Sequence, residues 1–378
     1  MKKLVINKNE IGVFIFFFLI SFSKGIGLNN SNKMYLVVYL IGIILATIKL
    51  WNIGLNKKEI FLLGSIIIIG ILDYVFGKET TILFTGITLI FLKKIDLKRV
   101  IKSMFYGRIL GFISMLILPV IDVLDMNIIE FYRSGEYINR YAFGYTHPNL
   151  AHSTFNIIII MWMYLFYERI NLANICLIEL LNYILYKFTY SRTGFVILTT
   201  FLIIAFILKN STKLKKILPK CLNFIFLTLI IISFIFAIGY DKIEVINKID
   251  VLLTGRIKYT SILINNYFPP IVKNQVYTNI LFDNGYFDLV YNGGLIATIW
   301  FIFMQIKTNK IIAKNNLYKE ALLIFIFLIY SITESYYISS VMNIGILFIA
   351  YAIYGYFPNF YEKNNNGNIP EAYKKEDI

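Results

Sequence analysis

Residues 220–239 have the sequence KCLNFIFLTLIIISFIFAIG, in which Lys220 is the only charged residue. A helix needs about 20 mostly apolar residues to cross the hydrocarbon core of a bilayer, and this segment has that length. In lipid the backbone must satisfy its own hydrogen bonds, so we expect a helix and not an open strand. The segment therefore predicts a transmembrane helix.

The same pattern recurs along the whole chain. Of the 378 residues, 58% are hydrophobic and 17% aromatic, whereas only 16% are charged. Soluble domains usually carry about a quarter charged residues, and the mean hydropathy here is +0.68. We predict an all-α polytopic membrane protein of about 12 transmembrane helices, in a single domain over residues 1–357. Besides 220–239, the predicted spans are residues 10–27, 34–51, 60–76, 79–93, 103–122, 150–167, 169–187, 193–209, 284–305, 318–333 and 337–357.

Lysines set the predicted orientation, because short cytoplasmic loops collect basic residues. Every lysine cluster lies at the N-terminus or after an even-numbered span, so both termini are predicted to be cytoplasmic. Residues 358–378 are predicted to be a disordered cytoplasmic tail. This topology and attraction to anionic lipid account for the net charge of +15 without a nucleic-acid partner. The clusters are Lys2, Lys3 and Lys8; Lys57 and Lys58; Lys93, Lys94, Lys98 and Arg99; Lys213, Lys215, Lys216 and Lys220; and Lys307, Lys310 and Lys314.

The seven arginines are distributed across the membrane differently from the lysines. Only Arg99 and Arg169 fall on the predicted cytoplasmic side, and Arg108 lies within the fifth span. Guanidinium groups suit phosphate, whereas lysine is a mobile point charge. The other arginines therefore suggest an anionic ligand on the outer face, although pairing with Asp125, Glu130 or Glu136 is an equally simple account of two of them. The outward-facing arginines are Arg133, Arg140, Arg192 and Arg256.

Two predicted outer loops, residues 122–149 and 240–284, are long enough to carry a site. The first ends in RYAFGYTHPN, residues 140–149, with Pro148 suited to the first position of the sixth span. The second contains LTGR, residues 253–256, before a short amphipathic stretch at 257–267.

Two further motifs begin spans at the same face. SRTG, residues 191–194, opens the eighth span with Ser191 as a plausible N-cap, and DNGY, residues 283–286, opens the tenth with Asp283 or Asn284 as cap. A helix N-terminus presents free N–H groups and partial positive charge, which favour an anion. We expect these helix starts and their arginines to converge on one outer site.

The order of these four motifs resembles the Wzy-type polysaccharide polymerases, which belong with the O-antigen ligases in one superfamily. The resemblance covers the whole chain in topology, but the motifs lie only between about residues 140 and 290. It implies a glycosyltransferase in the bacterial cytoplasmic membrane that joins undecaprenyl-diphosphate-linked oligosaccharide repeats at the outer face, for capsule or exopolysaccharide. The implied partners are the lipid-linked oligosaccharide, membrane lipids, a flippase and a chain-length regulator.

Such a reaction must stabilise charge on the leaving diphosphate and orient or deprotonate an acceptor hydroxyl. We expect Arg192, Arg256 and Arg140 to bind the diphosphate. His147 is the candidate base, because imidazole titrates near neutral pH, but a purely structural role is an open alternative. Asp283 and Glu334 are the rival catalytic residues. Tyr141, Asn149 and Tyr286 are the candidate sugar-binding residues.

No cofactor is predicted, and no metal site, because His147 and His152 are poorly spaced to share one helix face. Two other functions remain open. An O-antigen-ligase-like enzyme would transfer the glycan to another acceptor, and a flippase would move the lipid-linked oligosaccharide. A flippase is disfavoured because transporters usually place charged sites near the bilayer midplane within repeated architectures.

Within the spans, Arg108 and Glu179 are expected to pair with each other. Small residues are expected to lie at helix contacts, namely Gly111, Gly194, Gly293 and Gly294.

Overall fold

The computed structural model describes residues 8–29, 32–133, 135–253, 255–273 and 283–355. The predicted tail, Thr254 of the LTGR motif, residues 274–282 of the second loop and the side chain of Arg133 lie outside this part. The described chain consists of helices, one β-hairpin and the turns that connect these elements. The helices are α1 Lys8–Gly25, α2 Lys33–Ile53, α3 Lys57–Gly77, α4 Thr81–Phe91, α5 Leu97–Ile117, α6 Pro148–Phe166, α7 Leu172–Thr189, α8 Arg192–Asn210, α9 Thr212–Gly239, α10 Glu244–Leu252, α11 Arg256–Asn266, α12 Gly285–Phe287, α13 Gly294–Lys314, α14 Tyr318–Tyr330 and α15 Ile349–Tyr354.

Eight of the described helices are long and apolar enough to cross a membrane. They are α2, α3, α5, α6, α7, α8, α9 and α13, and each falls on a predicted span. The chain is therefore a helical, membrane-embedded protein. Three of the other four predicted spans contain α1, α4 and α14, but α4 and α14 have only 11 and 13 residues. The last consists of a 3₁₀ turn, Ile344–Phe348, that leads into α15, and α1 carries three charged residues, Lys8, Glu10 and Lys24.

The outer faces of the bundle are apolar. Leu40, Ile44 and Ile48 are exposed along one side of α2, and Leu177 and Leu181 are exposed along α7. A soluble protein rarely exposes such continuous apolar stripes, whereas a bilayer provides the matching solvent. These faces are the ones that we assign to lipid.

Small residues allow the central helices to approach closely, as the sequence predicts for Gly111 and Gly194. A Cβ at Gly111 would lie 2.7 Å from the carbonyl oxygen of Phe22, so α5 packs backbone to backbone against α1. A Cβ at Gly194 would lie 2.7 Å from the ring of His152, which brings α8 against α6. Close packing through small residues is a common way in which helices associate in membranes.

The two ionisable groups that were expected to pair do not meet. The buried Arg108 donates to the carbonyl oxygen of Val341 at 2.6 Å and contacts the sulfur of Met342. Glu179 instead accepts a hydrogen bond from the hydroxyl of Thr199 at 2.6 Å. The prediction of an Arg108–Glu179 pair is wrong, because each group has its hydrogen-bond partners at a different helix contact.

The first predicted loop contains an element that the helical pattern did not indicate. Strands β1, Ile128–Arg133, and β2, Glu136–Tyr141, form an antiparallel hairpin in which Phe131 faces Ile138. The turn uses Gly135, whose φ of 93° suits a residue without a side chain. β2 leads into the turn before α6, so the hairpin lies beside the first motif.

Candidate functional site

Three of the four sequence motifs meet around the guanidinium of Arg256, the first residue of α11. Its Nη2 lies 3.0 Å from Oε1 of Glu334 and 3.6 Å from Oδ2 of Asp283. Its Nη1 donates to the hydroxyl of Thr193 at 3.3 Å. Arg256 therefore joins the starts of α8 and α11, the DNGY motif and the turn after α14.

The DNGY motif is hydrogen-bonded to the turn that carries Glu334. Asn284 caps α12, because its side-chain oxygen accepts hydrogen bonds from the backbone N–H groups of Tyr286 and Phe287. Its Nδ2 donates to the carbonyl oxygen of Ile332, and Gly285 N–H donates to that of Ser331 at 2.7 Å. The sequence did not decide whether Asp283 or Asn284 caps this helix. Because Asn284 is the cap, the carboxylate of Asp283 faces Arg256.

Glu334 is buried, and burial raises the pKa of its carboxyl to about 7. The positive charge of Arg256 opposes this rise, whereas the negative charge of Asp283 adds to it. A carboxyl group with such a pKa exchanges its proton near neutral pH, as a general base requires. The side chain of Asp283 is 55% exposed.

His147 lies at the surface as the N-cap of α6. Its Nδ1 accepts a hydrogen bond from the backbone N–H of Asn149 at 3.1 Å, and Pro148 occupies the first helical position as predicted. Partial desolvation lowers the pKa of His147, Arg140 and Arg256 lower it further, and Asp283 raises it. The imidazole is therefore neutral at neutral pH. With Nδ1 accepting, Nε2 carries the proton and is a donor.

Arg140 has structural partners. Its Nε donates to the carbonyl oxygen of Thr189 at 2.9 Å, and its Nη2 donates to Oδ1 of Asn149 at 2.6 Å. The guanidinium also lies over the ring of Phe131, with 5.8 Å to the ring centroid. Arg140 thus ties the hairpin to the end of α7 and the start of α6, and it is close enough to His147 to lower the imidazole pKa.

Arg192, the first residue of α8, is exposed. Nowhere in the described ranges does its guanidinium have an acidic group within ion-pair distance. Ser191 is the N-cap residue, as predicted, but its side chain makes no capping hydrogen bond. The next residue, Thr193, contacts Arg256. The start of α8 therefore combines an exposed arginine with a first turn that lacks a side-chain cap.

The other helix starts at this site are capped by protein groups. His147 caps α6, and the buried carboxylate of Asp250 accepts the backbone N–H of Ile257 in the first turn of α11 at 2.7 Å. Asp250 was not among the predicted site residues, although it lies only six positions before Arg256. Of the four helix starts expected to offer free N–H groups, only that of α8 has no side-chain acceptor from the described residues bound to its first turn, because Asn284 caps α12.

The three candidate sugar-binding residues are placed differently. The ring of Tyr141 is partly exposed and packs edge-on against Phe188. Asn149 is held by Arg140. Tyr286 is only 1% exposed and donates its hydroxyl to the carbonyl oxygen of Leu328, so it belongs to the packed core beneath the site.

The second histidine does not join this site. His152 is fully buried, and its two ring nitrogens lie 3.0 Å from the hydroxyl of Thr189 and 2.9 Å from Oδ1 of Asn182. In the described residues, no group of three or more His, Cys, Asp or Glu side chains is placed to hold a metal ion. In comparisons with protein-family models, curated proteins and solved structures, nothing matches the chain.

Proposed function

We propose that the chain is a polysaccharide polymerase that joins oligosaccharide repeats carried on undecaprenyl diphosphate. The observation that carries the proposal is the cluster of Arg256, Glu334, Asp283 and His147 beside the uncapped start of α8 with Arg192. It combines groups that bind a diphosphate with a carboxyl group whose pKa is near 7.

The proposed membrane arrangement follows from the lysine pattern. Twelve segments lie in the bilayer, with the shorter helices α4, α14 and α15 packed within the bundle, and both termini are cytoplasmic. The cluster then lies at the extracytoplasmic ends of the helices. An undecaprenyl chain would lie in lipid beside the bundle and present its diphosphate to this end.

The diphosphate is assigned to Arg192, Arg256 and the first turn of α8. Arg192 is exposed, and helix N–H groups without a side-chain cap favour an anion. Arg256 is shared between the buried Glu334 and the half-exposed Asp283, whose oxygen is 3.6 Å away. A diphosphate can replace Asp283 as the second partner of Arg256, since the contact with Asp283 is long and the Asp283 side chain is exposed.

The proposed reaction is a glycosyl transfer. The acceptor hydroxyl oxygen forms a bond to the anomeric carbon of the donor sugar, and the bond from that carbon to the diphosphate oxygen breaks with its electron pair. The hydroxyl proton passes to the carboxylate of Glu334. Arg256 and Arg192 stabilise the negative charge that develops on the diphosphate. His147, with Nε2 protonated, donates a hydrogen bond to the substrate and is not the base in this scheme.

The alternatives predict different intermediates. A strain that lacks the polymerase accumulates single repeats on the lipid carrier, and complementation with wild type but not with Arg256→Gln restores polymer. Accumulation of full-length lipid-linked polymer would instead indicate the ligase. A flippase would leave single repeats on the cytoplasmic side, where an impermeant glycosidase added to intact spheroplasts does not reach them.

A further inference from the structure

A second polar site lies beside the Arg256 cluster. A cavity of about 430 Å³ opens between the α1–α2 connection, the start of α4, the segment before α13 and residues 335–342. Its volume falls within the range of about 300–1,000 Å³ that is usual for small-ligand sites. Ser335 and Tyr336, which line it, directly follow Glu334. The cavity therefore begins where the proposed base is placed.

A π-helical turn, Asp288–Asn292, forms one wall of this cavity. The N–H of Gly293 donates to the carbonyl oxygen of Asp288 at 3.1 Å, which is the wider spacing of a π-helix. Both Asp288 and Asn292 thereby line the cavity, and Nδ2 of Asn292 donates to Oδ1 of Asp288 at 2.8 Å. Such turns are rare and are frequently found at functional sites.

The carboxylate of Asp288 is incompletely satisfied by the protein. The residue is 8% exposed, and within the described part of the chain it has no cation within ion-pair distance. The nearby ammonium of Lys273 is 3.4 Å from Glu79 instead. A buried carboxylate costs free energy unless hydrogen bonds compensate it. The second oxygen of Asp288 can accept a hydrogen bond from a ligand hydroxyl in the cavity.

Aromatic rings also line the cavity. Tyr35, Tyr39 and Phe84 line the cavity, and the hydroxyls of Tyr35 and Tyr39 lie 3.0 Å apart. The ammonium of Lys24 lies over the ring of Tyr35, 4.2 Å from its centroid. Aromatic side chains in one cavity with a carboxylate and an amide match a ligand that has C–H groups and neighbouring hydroxyl groups.

We propose that this cavity is a sugar subsite that holds one unit of the oligosaccharide repeat, with Asp288 and Asn292 bound to its hydroxyls. The cavity contains the ammonium of Lys24 as well as the carboxylates of Glu79 and Asp288, whereas the diphosphate is assigned to Arg192 and Arg256. The inference rests on the proposed function for the identity of the sugar, but its binding is testable by itself.

The test measures protection of a cysteine in the cavity. Ser339→Cys is made in a Cys176→Ser, Cys221→Ser background, because Ser339 lines the cavity and is partly exposed. The purified full-length protein in detergent is labelled with a small cationic thiosulfonate. The probe is an oligosaccharide of one or two repeats, released from the surface polysaccharide of the host and free of lipid and phosphate. Lys242→Cys, on the exposed turn after α9, is the matched control.

We expect the oligosaccharide to slow labelling of the cysteine at 339 at least fivefold and that at 242 not at all. Adding Asp288→Asn or Asn292→Ala should remove this protection, and inorganic diphosphate should not provide it. Unchanged labelling at 339 overturns the sugar subsite. If single lipid-linked repeats still accumulate in the deletion strain, the proposed function survives that result. Protection at 339 without such accumulation keeps the subsite and overturns the polymerase.

Discussion

Nη2 of Arg256 lies 3.0 Å from Oε1 of Glu334, and both side chains are buried. The two residues come from different parts of the chain, α11 and the turn after α14. The third member of the cluster, Asp283, is farther from Arg256 and half exposed. The arrangement thus consists of one tight ion pair and one weaker contact that a ligand can replace.

The Arg256–Glu334 pair should couple energetically in the folded protein. Arg256→Gln leaves a buried carboxylate without its cation, which typically costs about 3–5 kcal/mol when the carboxylate is ionised. Arg256→Gln, Glu334→Gln should cost less than Arg256→Gln alone, because no charge then remains buried. Thermal unfolding in detergent at pH 8 measures both. Equal melting temperatures for the single and double variants would contradict a direct interaction.

The same pair gives a pH-dependent prediction for stability. Glu334 holds its proton below its pKa of about 7, and removing Arg256 raises that pKa further. Hence the destabilisation of Arg256→Gln should be largest above pH 7 and should shrink at pH 5.5, where the carboxyl is neutral. Arg169→Ala, at the predicted cytoplasmic end of α6, is the control and should show no such dependence.

Polymerisation should fall as the pH drops below about 7, because the proposed base Glu334 must be ionised. Glu334→Gln should abolish polymer. Asp283→Asn removes a like charge that raises the pKa of Glu334. This variant should therefore move the acid limb of the pH–rate profile to lower pH. The measurement is the initial rate of polymer formation from purified lipid-linked repeats between pH 5 and 9.

His147→Gln distinguishes the two candidate bases. The pKa of His147 is lowered and its Nδ1 caps α6, so this variant should be slower while its acid limb remains near pH 7. Loss of that limb in His147→Gln, with Glu334 present, would make the histidine the base.

The sequence located the cluster but did not assign the roles within it. The motifs at 191–194, 253–256 and 283–286 marked Arg192, Arg256 and Asp283, and the caps and glycines that mark helix starts are local features. The pairing of Arg256 with Glu334 depends on how α11 packs beside the turn after α14. Burial of Glu334, which moves its pKa, results from the same tertiary packing and has no local sequence signal.

Several features of the fold could be predicted from the sequence, because their signals are also local. Apolar length predicted the eight described helices that are long enough to cross a membrane, since that signal is local, whereas the hairpin at 128–141 and the π-helical turn at 288–292 depend on their surroundings. Tyr286 shows that finding a motif does not assign a role to each of its residues. Its motif was found, but its ring packs in the core with the hydroxyl bound to Leu328.

Arg192 should contribute directly to diphosphate binding. Hydrogen bonds to charged groups are worth about 1.5–3 kcal/mol, so Arg192→Ala should weaken the binding of undecaprenyl diphosphate by about 10- to 100-fold. Arg192→Lys should recover only part of the loss, because an ammonium lacks the planar fork of donors. Calorimetry on the protein in detergent measures the affinities. Unchanged affinity in Arg192→Ala would remove this residue from the site.

Gly194 should be required for the contact between α8 and α6. A Cβ there would lie 2.7–2.8 Å from the ring of His152 and 3.0 Å from Oγ of Ser191, and all three are held in a packed interior. Gly194→Ala should therefore cost about 1–3 kcal/mol, as overpacking does. Gly64→Ala on α3 is the matched control, because nothing lies within 4 Å of its Cβ position. It should be neutral or stabilising by up to about 1 kcal/mol. Equal melting temperatures for the two alanine variants would show that α8 can move away from α6.

The orientation of the bundle decides whether the cluster meets an extracytoplasmic substrate. In a Cys176→Ser, Cys221→Ser background, single cysteines at 192 and 242 should react with an impermeant maleimide in intact cells, because both lie at the predicted outer ends of helices. Cysteines at 58 and 213 should react only after the membrane is permeabilised, since they replace lysines of predicted cytoplasmic clusters. Residue 213 is the stringent control, because it lies at the opposite end of α8–α9 from positions 192 and 242. The reverse pattern would place Arg192 and Arg256 in the cytoplasm, where they could not act on repeats presented at the outer face.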